Sequence, residues 1–264
     1  MILHLIGRPT TQNGITDPTS GNSSSPPDSG ARVCYFSGAM TDPRTILHQV
    51  EIGPMANFVY LIGCKETCEA AVVDPAWDMP EIIHIADDLQ LKIRHLLVTH
   101  AHRDHINGLA EMIEMTGAQT YINKEESGHL RDFAGSGTPS AGRLGYYVDS
   151  FKWVSDDEEI PVGHLTVRCL HTPGHTPGSQ CFLVENFLFS GDTLFINECG
   201  RVDLPGSDPE RMWWSLNRKL KSLPDETVVF PGHNYADHTT STIGEEKRHN
   251  PYMRCATVQQ FLAG

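Results

Sequence analysis

The sequence lacks three features that would each place the protein in a specialised class. No stretch of its 264 residues approaches the 18 consecutive apolar residues typical of a membrane span, so we expect no membrane association. Basic residues are few, with 20 Lys and Arg against 33 Asp and Glu, and they form no dense run. The resulting net charge of -13 argues against nucleic-acid binding and favours a soluble protein.

Cysteine usage and the first residues bear on the cellular compartment. The seven cysteines are odd in number and irregularly spaced, so they do not form the framework of an exported disulfide-rich domain. The opening apolar residues lack the length and the basic flank of a secretory signal. We therefore expect reduced thiols and a cytoplasmic protein.

The N-terminal part differs in composition from the rest of the chain. Residues 8–30 are rich in Pro, Gly, Ser and Thr, and burial of their few large apolar side chains cannot offset the entropy lost on ordering. We predict a flexible tail over residues 1–39 and a single folded domain over residues 40–264.

Apolar patterns within the domain predict alternating strands and helices. In the first half we predict strands at 46–52, 58–62, 70–73, 96–98 and 120–122, with helices over 80–91 and 106–115. The Gly- and Ser-rich stretch 125–145 is predicted to be a loop with one helical turn. In the second half we predict strands at 165–170, 180–184, 187–189 and 228–230, with a helix over 209–220. Two strand-rich halves that each carry helices favour an α/β layered fold.

Histidine is the residue type in excess, with fourteen in the chain. The predicted strand 96–98 runs into His100, His102, Asp104 and His105, which are three imidazoles and a carboxylate within six positions. Such side chains are the usual ligands of zinc and non-haem iron. Because alternate residues of an extended segment point the same way, His100 and His102 can share one ion while the other two turn towards another.

Three further predicted strands each end in a Gly-containing turn that carries one ligand-type side chain. These side chains are His175, Asp192 and His233. Functional groups cluster on loops at strand ends, so four such loops at one sheet edge would build a single pocket. The sequence therefore predicts one metal site assembled from distant segments.

The order of these segments resembles a known family. HxHxDH at 100–105, PGHTPGS at 173–179, SGDTLF at 190–195 and PGHNY at 231–235 are similar to the motifs of the metallo-β-lactamase superfamily. The resemblance covers nearly all of the chain from about residue 45. It implies an αββα sandwich, in agreement with the layered pattern.

The resemblance also assigns the seven side chains to two divalent ions. His100, His102 and His175 would hold the first ion, Asp104, His105 and His233 the second, and Asp192 would bridge them. Zinc is the expected metal, with iron and manganese as alternatives, because imidazole and carboxylate suit all three. Two such ions lower the pKa of a shared water to about 7, so a bridging hydroxide is the implied nucleophile. Asp104 is the implied catalytic residue that orients it.

Two segments resemble one branch of the superfamily, glyoxalase II or hydroxyacylglutathione hydrolase. Residues 198–203 are similar to its GCGK or GCGR motif, and residues 250–254 are similar to its C-terminal NPFMR. By this likeness Arg201, Tyr235 and Arg254 would bind the thiol part of the substrate. The implied activity is that of a metallo-hydrolase of the thioesterase type, acting on a small S-acyl-glutathione-like thiol conjugate.

The persulfide dioxygenases share these motifs and provide the alternative. They use a single iron, held by the residues equivalent to His100, His175 and Asp192, to act on glutathione persulfide. They usually read PAHDY where this chain reads PGHNY, which favours hydrolysis. Only residues 234–240 stand where glyoxalase II has a longer helical segment, so much of the glutathione platform is missing. The acyl group, the native thiol, the metal count and a homo-oligomeric state stay open.

Overall fold

The computed structural model describes residues 32–35 and 44–263. Strand β1 (Arg32–Tyr35) pairs antiparallel with β2 (Thr45–Ile52), with residue 32 opposite Glu51 and residue 35 opposite His48. For these four residues the structure has a paired strand where the sequence predicted a tail. The other residues of 1–39 and the predicted domain start at Met40 lie outside the described residues.

Seven strands form the first sheet in chain order. After β1 and β2 these are β3 (Asn57–Cys64), β4 (Glu69–Val73), β5 (Lys92–Leu97), β6 (Gln119–Asn123) and β7 (Lys152–Val154). Strands β1 to β4 pair antiparallel, and β4 to β7 pair parallel. Parallel neighbours need crossover connections, and these carry helices. The helices are α1 (Met79–Asp88), α2 (Arg103–Ile106), α3 (Leu109–Thr116), α4 (Ser127–Ala134) and α5 (Pro139–Leu144).

Six strands form the second sheet. They are β8 (Glu159–Val162), β9 (Leu165–His171), β10 (Gln180–Val184), β11 (Phe187–Gly191), β14 (Val228–Pro231) and β15 (Ser241–Thr242), in the order β15-β14-β11-β10-β9-β8. The connection from β11 to its parallel neighbour β14 carries the short ribbon of β12 (Leu194–Phe195) and β13 (Glu198–Cys199), followed by α6 (Pro209–Trp214). Helices α7 (Ile243–His249) and α8 (Val258–Ala263) complete the described chain.

Alternating side chains on the strands separate the apolar core into layers. In β3, Phe58, Tyr60 and Ile62 contribute to the cluster between the two sheets, whereas Val59 and Leu61 contribute to the cluster under α1 and α3. This division follows from the two-residue period of a strand. On the outer face of the second sheet a third cluster joins strand residues to α6, α7 and α8. The structure is the predicted αββα sandwich.

Three helical segments differ from the sequence prediction. The stretch 125–145 holds the two helices α4 and α5 instead of a loop with one helical turn, because Leu130 and Phe133 of α4 are buried in the first-sheet cluster. The side chain of Thr138 caps α5, and Pro139 occupies its first turn, a helix-start signal that the Gly and Ser content obscured. The predicted helix 106–115 is divided between α2 and α3. Helix α6 becomes a π-helical turn at Ser215–Lys219.

Four strands of the sandwich lead into the loops that carry the predicted ligands. Strands β9, β11 and β14 run in the same direction, so their carboxyl ends lie at one edge of the second sheet. The loop after β5 reaches this edge from the first sheet, where the N–H of Gln180 donates to the carbonyl of Thr99 at 3.0 Å. Within residues 44–263, each helix is too short or too polar to traverse a lipid bilayer.

Candidate metal centre

The loop after β5 and the loop after β9 supply a first ligand group, formed by His100, His102 and His175. The ligand atoms of these three side chains all lie within 4.8 Å of one another. Nδ1 of His102 lies 2.9 Å from Nε2 of His175, although the two residues are 73 positions apart. The fold therefore assembles three imidazoles from two sheets around one point.

Asp104, His105 and His233 form a second ligand group. Nε2 of His105 lies 3.1 Å from Nε2 of His233. Oδ2 of Asp104 lies 3.4 Å from the first of these nitrogens and 3.3 Å from the second. The three ligand atoms lie within 4.8 Å of one another, so a single cation can bind all three.

Asp192, at the end of β11, lies between the two ligand groups. Its Oδ1 lies 3.4 Å from Nε2 of His105 and 3.5 Å from Nε2 of His233. Its Oδ2 lies 3.5 Å from Nε2 of His175. The two oxygens of one carboxylate thus face different ligand groups.

Hydrogen bonds on the far side of three imidazoles set the orientation of their rings. Nδ1 of His105 donates to Asp74 at 2.9 Å, Nδ1 of His175 to the carbonyl of Arg201 at 2.8 Å, and Nδ1 of His233 to the carbonyl of Met55 at 2.9 Å. Carboxylate and carbonyl oxygens only accept, so each Nδ1 carries the proton. Each Nε2 therefore faces the site, the arrangement usual for metal-binding histidines.

Unsatisfied atoms show that these residues fit a cation. Nε2 of His105 and Nε2 of His233 lie 3.1 Å apart, so the two nitrogens share either one proton or a cation. Nε2 of His100 and Oδ1 of Asp192 are buried and have no hydrogen-bond partner among the described residues. Leaving such groups unpaired costs about 1–3 kcal/mol each, and a bound metal ion would satisfy them.

The protonation of the site also suits a cation. Burial and, as the next largest cause, the neighbouring His175 together lower the pKa of His102 to about 4. Burial works to raise the pKa values of Asp104 and Asp192, but His105 and His233 hold both far below the ordinary range. Both carboxylates are therefore ionised at neutral pH and place two negative charges beside the imidazoles.

Two buried carboxylates that the sequence analysis did not single out hold the ligand loops in place. The first is Asp74, which accepts from the backbone N–H of Thr99 at 2.7 Å and from its hydroxyl at 2.6 Å. That hydroxyl in turn accepts from Nδ1 of His100 at 3.0 Å, which leaves Nε2 of the ring directed to the site. Asp74 directly follows a predicted strand, so the pattern that identified the ligands could have found it.

Glu126 is the second of these carboxylates, and it is fully buried. Its carboxylate accepts a hydrogen bond of 2.8 Å from the backbone N–H of Ala101, the residue between His100 and His102. It also accepts from the hydroxyl of Thr176 at 2.5 Å and from the N–H of Gly178 at 2.7 Å, just beyond His175. One side chain therefore joins the two loops of the first ligand group. The sequence placed it in a predicted loop and gave no signal for this role.

A cleft of about 680 Å³ opens above the ligands. It contains two of the three predicted substrate-binding residues, Arg201 and Tyr235. The Tyr235 ring stacks on His233 with centroids 4.7 Å apart, and the Arg201 guanidinium makes two hydrogen bonds of 2.9 Å to Asp203. The third residue, Arg254, is exposed and is absent from the described residues that line the cleft.

Comparison with known proteins places this geometry in a family. The sequence profile of the metallo-beta-lactamase superfamily matches residues 52–233. The hydroxyacylglutathione hydrolase GloC of Haemophilus influenzae is 32% identical over 191 residues, covering 70% of this chain and 87% of that protein. The mitochondrial persulfide dioxygenase ETHE1 of Homo sapiens is 30% identical over 212 residues, covering 79% of this chain and 76% of that protein.

Two crystal structures share the fold. ETHE1 from Myxococcus xanthus is 30% identical with a TM-score of 0.71, covering 83% of this chain and 88% of that one. The protein TTHA1623 in a di-iron-bound form is 31% identical with a TM-score of 0.63, covering 77% of this chain and 98% of that one. Proteins at similar identity thus include a hydrolase, a dioxygenase and a protein solved in a di-iron-bound form.

Proposed function

The chain belongs to the metallo-beta-lactamase superfamily, and from this premise we propose that it is a metal-dependent hydrolase that cleaves a thioester. The observation that carries the proposal is the position of Asp192, with one oxygen towards each of two complete three-residue ligand groups. A dinuclear site uses both groups and the carboxylate that lies between them. Zinc is the first candidate metal, and iron and manganese suit the same ligands.

Two divalent ions held by these groups would supply a nucleophilic water at neutral pH and would polarise the acyl oxygen. The chain contributes orientation and charge. Nδ2 of Asn57 donates to Oδ2 of Asp104 at 3.0 Å and is itself fixed by Trp77, whose indole N–H donates to its Oδ1 at 2.8 Å. The Asp104 carboxylate is thereby held in one orientation, and we assign it to orient the attacking water.

The cleft is the proposed site for the substrate. Tyr235 offers an aromatic face at its mouth, since the ring is 60% exposed and stacks on His233. The exposed ion pair of Arg201 with Asp203 is a weak one, so a substrate carboxylate can compete for the guanidinium. The leaving thiol has an ordinary pKa near 8.5, so it departs as a thiolate without a dedicated acid. Cys199 is buried and its pKa is raised, so it is no nucleophile.

A second candidate is an iron-dependent persulfide dioxygenase. It is favoured by the similarity to the human persulfide dioxygenase ETHE1 and to the Myxococcus xanthus protein that is also named ETHE1. In this alternative His100, His175 and Asp192 alone would hold the metal. The second ligand group, with His105 and His233, would then have no metal to bind.

Two assays on the purified chain separate these candidates. The first measures thiol release from an S-acyl-glutathione, and the second measures oxygen uptake with glutathione persulfide. We expect thiol release without oxygen uptake, and we expect His105→Ala to abolish it because that variant removes the second ligand group. Oxygen uptake that survives His105→Ala, with no thioester cleavage in the parent chain, would overturn the proposal in favour of the dioxygenase.

A further inference from the structure

We propose that Gly232 determines how many metal ions the site holds, because the absence of a side chain there allows the Asp192 carboxylate to serve both ligand groups. Gly232 directly precedes the ligand His233 and follows strand β14. The inference rests on the two-ion site of the proposed function. It adds that the residue at position 232 decides whether the second ion can bind.

The space beside Gly232 is already filled by Asp192 and the residue before it. A Cβ added at position 232 would lie 2.5 Å from Oδ1 of Asp192, and 3.0 and 3.1 Å from the carbonyl carbon and oxygen of Gly191. Even favourable carbon–oxygen contacts are about 3.3 Å or longer. The methyl group cannot retreat towards the Gly191 backbone, so the Asp192 carboxylate has to move.

The oxygen that would move is the one that faces the second ligand group. Oδ1 of Asp192 lies 3.4 Å from Nε2 of His105 and 3.5 Å from Nε2 of His233. It is buried and has no hydrogen-bond partner within the described part of the chain, so a cation bound there would satisfy it. The other oxygen faces His175 and is not among the three atoms nearest to the added Cβ. A side chain at 232 therefore disturbs the second group and leaves the first in place.

Backbone conformation does not explain the glycine. Gly191 has a φ of 49°, where a side chain is strained, but Gly232 is not among the described glycines with positive φ. Its N–H donates to the carbonyl of Gly191 at 2.9 Å, a bond that alanine can also make. An alanine at this position consequently tests the contact with Asp192 without adding backbone strain.

The test is the number of zinc ions bound per chain in Gly232→Ala. The parent chain and the variant are equilibrated with zinc at a graded series of buffered free concentrations, and bound ions are counted by elemental mass spectrometry. The matched control is Gly142→Ala in α5, where no described atom lies within 4 Å of the added Cβ. We expect two ions in the parent and control, and an affinity for the second ion about 10- to 100-fold lower in Gly232→Ala. Unchanged affinity in the variant, or a single ion in the parent, would overturn the inference.

A double variant tests whether the methyl group acts through Asp192. In an Asp192→Ala background the carboxylate is gone, so adding Gly232→Ala should cause no further loss of zinc. A further loss would show that the methyl group displaces the backbone of His233 and would contradict the inference. If Gly232→Ala alone fails to fold, the double variant should recover the fold, and a failure to recover it would equally count against the contact.

The count of ions is independent of turnover, so the two proposals can fail separately. A chain that binds two ions, loses one in Gly232→Ala and cleaves no thioester would contradict the proposed activity while supporting the role of Gly232. Thioester cleavage by the parent chain, together with zinc binding that Gly232→Ala leaves unchanged, would support the proposed activity and contradict the role of Gly232.

Discussion

Nδ1 of His105 lies 2.9 Å from Oδ2 of Asp74, and both side chains are buried beneath the second ligand group. The same carboxylate accepts the hydroxyl of Thr99, which in turn orients His100. Asp74 therefore orients one histidine ring in each ligand group, His100 in the first and His105 in the second. Its hydrogen bond to His105 is made at Nδ1, so Nε2 of that ring stays directed to the site. Residues of this kind affect metal affinity without touching the substrate.

Replacing Asp74 with Asn tests this relationship. The amide would direct an N–H towards groups that are themselves donors, so the rings of His100 and His105 would lose their fixed orientation. We expect zinc affinity to fall about 10- to 100-fold, measured by competition with a chelator of known affinity. Unchanged affinity would mean that the rings are oriented by packing alone.

Glu126→Gln is expected to destabilise the chain and weaken the first ligand group. Three donors converge on the buried carboxylate, and hydrogen bonds to a charged group contribute about 1.5–3 kcal/mol each. We expect the free energy of unfolding in urea to fall by about 2 kcal/mol. The control is Glu125→Gln, because Glu125 is exposed and only pairs with Arg211 at 3.1 Å; its effect should stay within about 0.5 kcal/mol. Equal effects of the two substitutions would contradict the assigned role.

The chain stripped of metal should show a stability maximum between two imidazole titrations. Burial lowers the pKa of His102 to about 4. Burial acts in the same direction on His233, but Asp104 and Asp192 outweigh it and raise that pKa to about 9. In the unfolded chain both imidazoles titrate near 6.5.

The sign of each effect follows from which state binds more protons. Between about pH 4 and 6.5 the unfolded chain binds more protons at His102, so stability is lost as the pH falls. Between about pH 6.5 and 9 the folded chain binds more protons at His233, so stability is lost as the pH rises. Urea unfolding after chelation should show both losses, and His233→Gln should reduce the alkaline one, to which His105 also contributes because its pKa is raised as well. A profile that rises steadily through neutral pH would contradict these assignments.

Kinetics should separate the two arginines that the sequence assigned to the substrate. Arg201 lines the cleft, whereas Arg254 is exposed outside the described lining residues. With an S-acyl-glutathione, Arg201→Ala should raise KM more than it lowers kcat, because a remote carboxylate contact contributes mainly uniform binding. Arg254→Ala should raise KM less. A larger effect at Arg254 would extend the substrate path beyond the cleft.

The layered fold was predictable because the strands are short, β-branched and regularly interrupted. Runs such as those of β3 and β4 are buried nearly throughout, and this burial leaves a continuous apolar signal in the sequence. Strand β7 and helix α4 were missed because only one or two of their residues are buried, so tertiary contacts rather than local pattern decide them. Gly108 lies between α2 and α3 and packs closely, since an added Cβ there would lie 2.7 Å from Met79.

The ligand side chains were predictable for a different reason. Histidine and aspartate directly after buried strands are typical of metal sites, and the structure brings all seven side chains into two adjoining groups. The supporting carboxylates were harder to find, since Glu126 acts through backbone N–H groups that any sequence offers. The contact between Gly232 and Asp192 depends on tertiary geometry alone, so the sequence could not reveal it.

The count of bound ions in Asp192→Ala tests the shared carboxylate most directly. The parent chain and the variant are saturated with zinc, dialysed against metal-free buffer and analysed for metal, with thioester cleavage measured on the same samples. We expect two ions per chain in the parent, and we expect the variant to lose metal and activity together because one side chain serves both groups. Full activity and an unchanged metal content in Asp192→Ala would contradict the two-ion site.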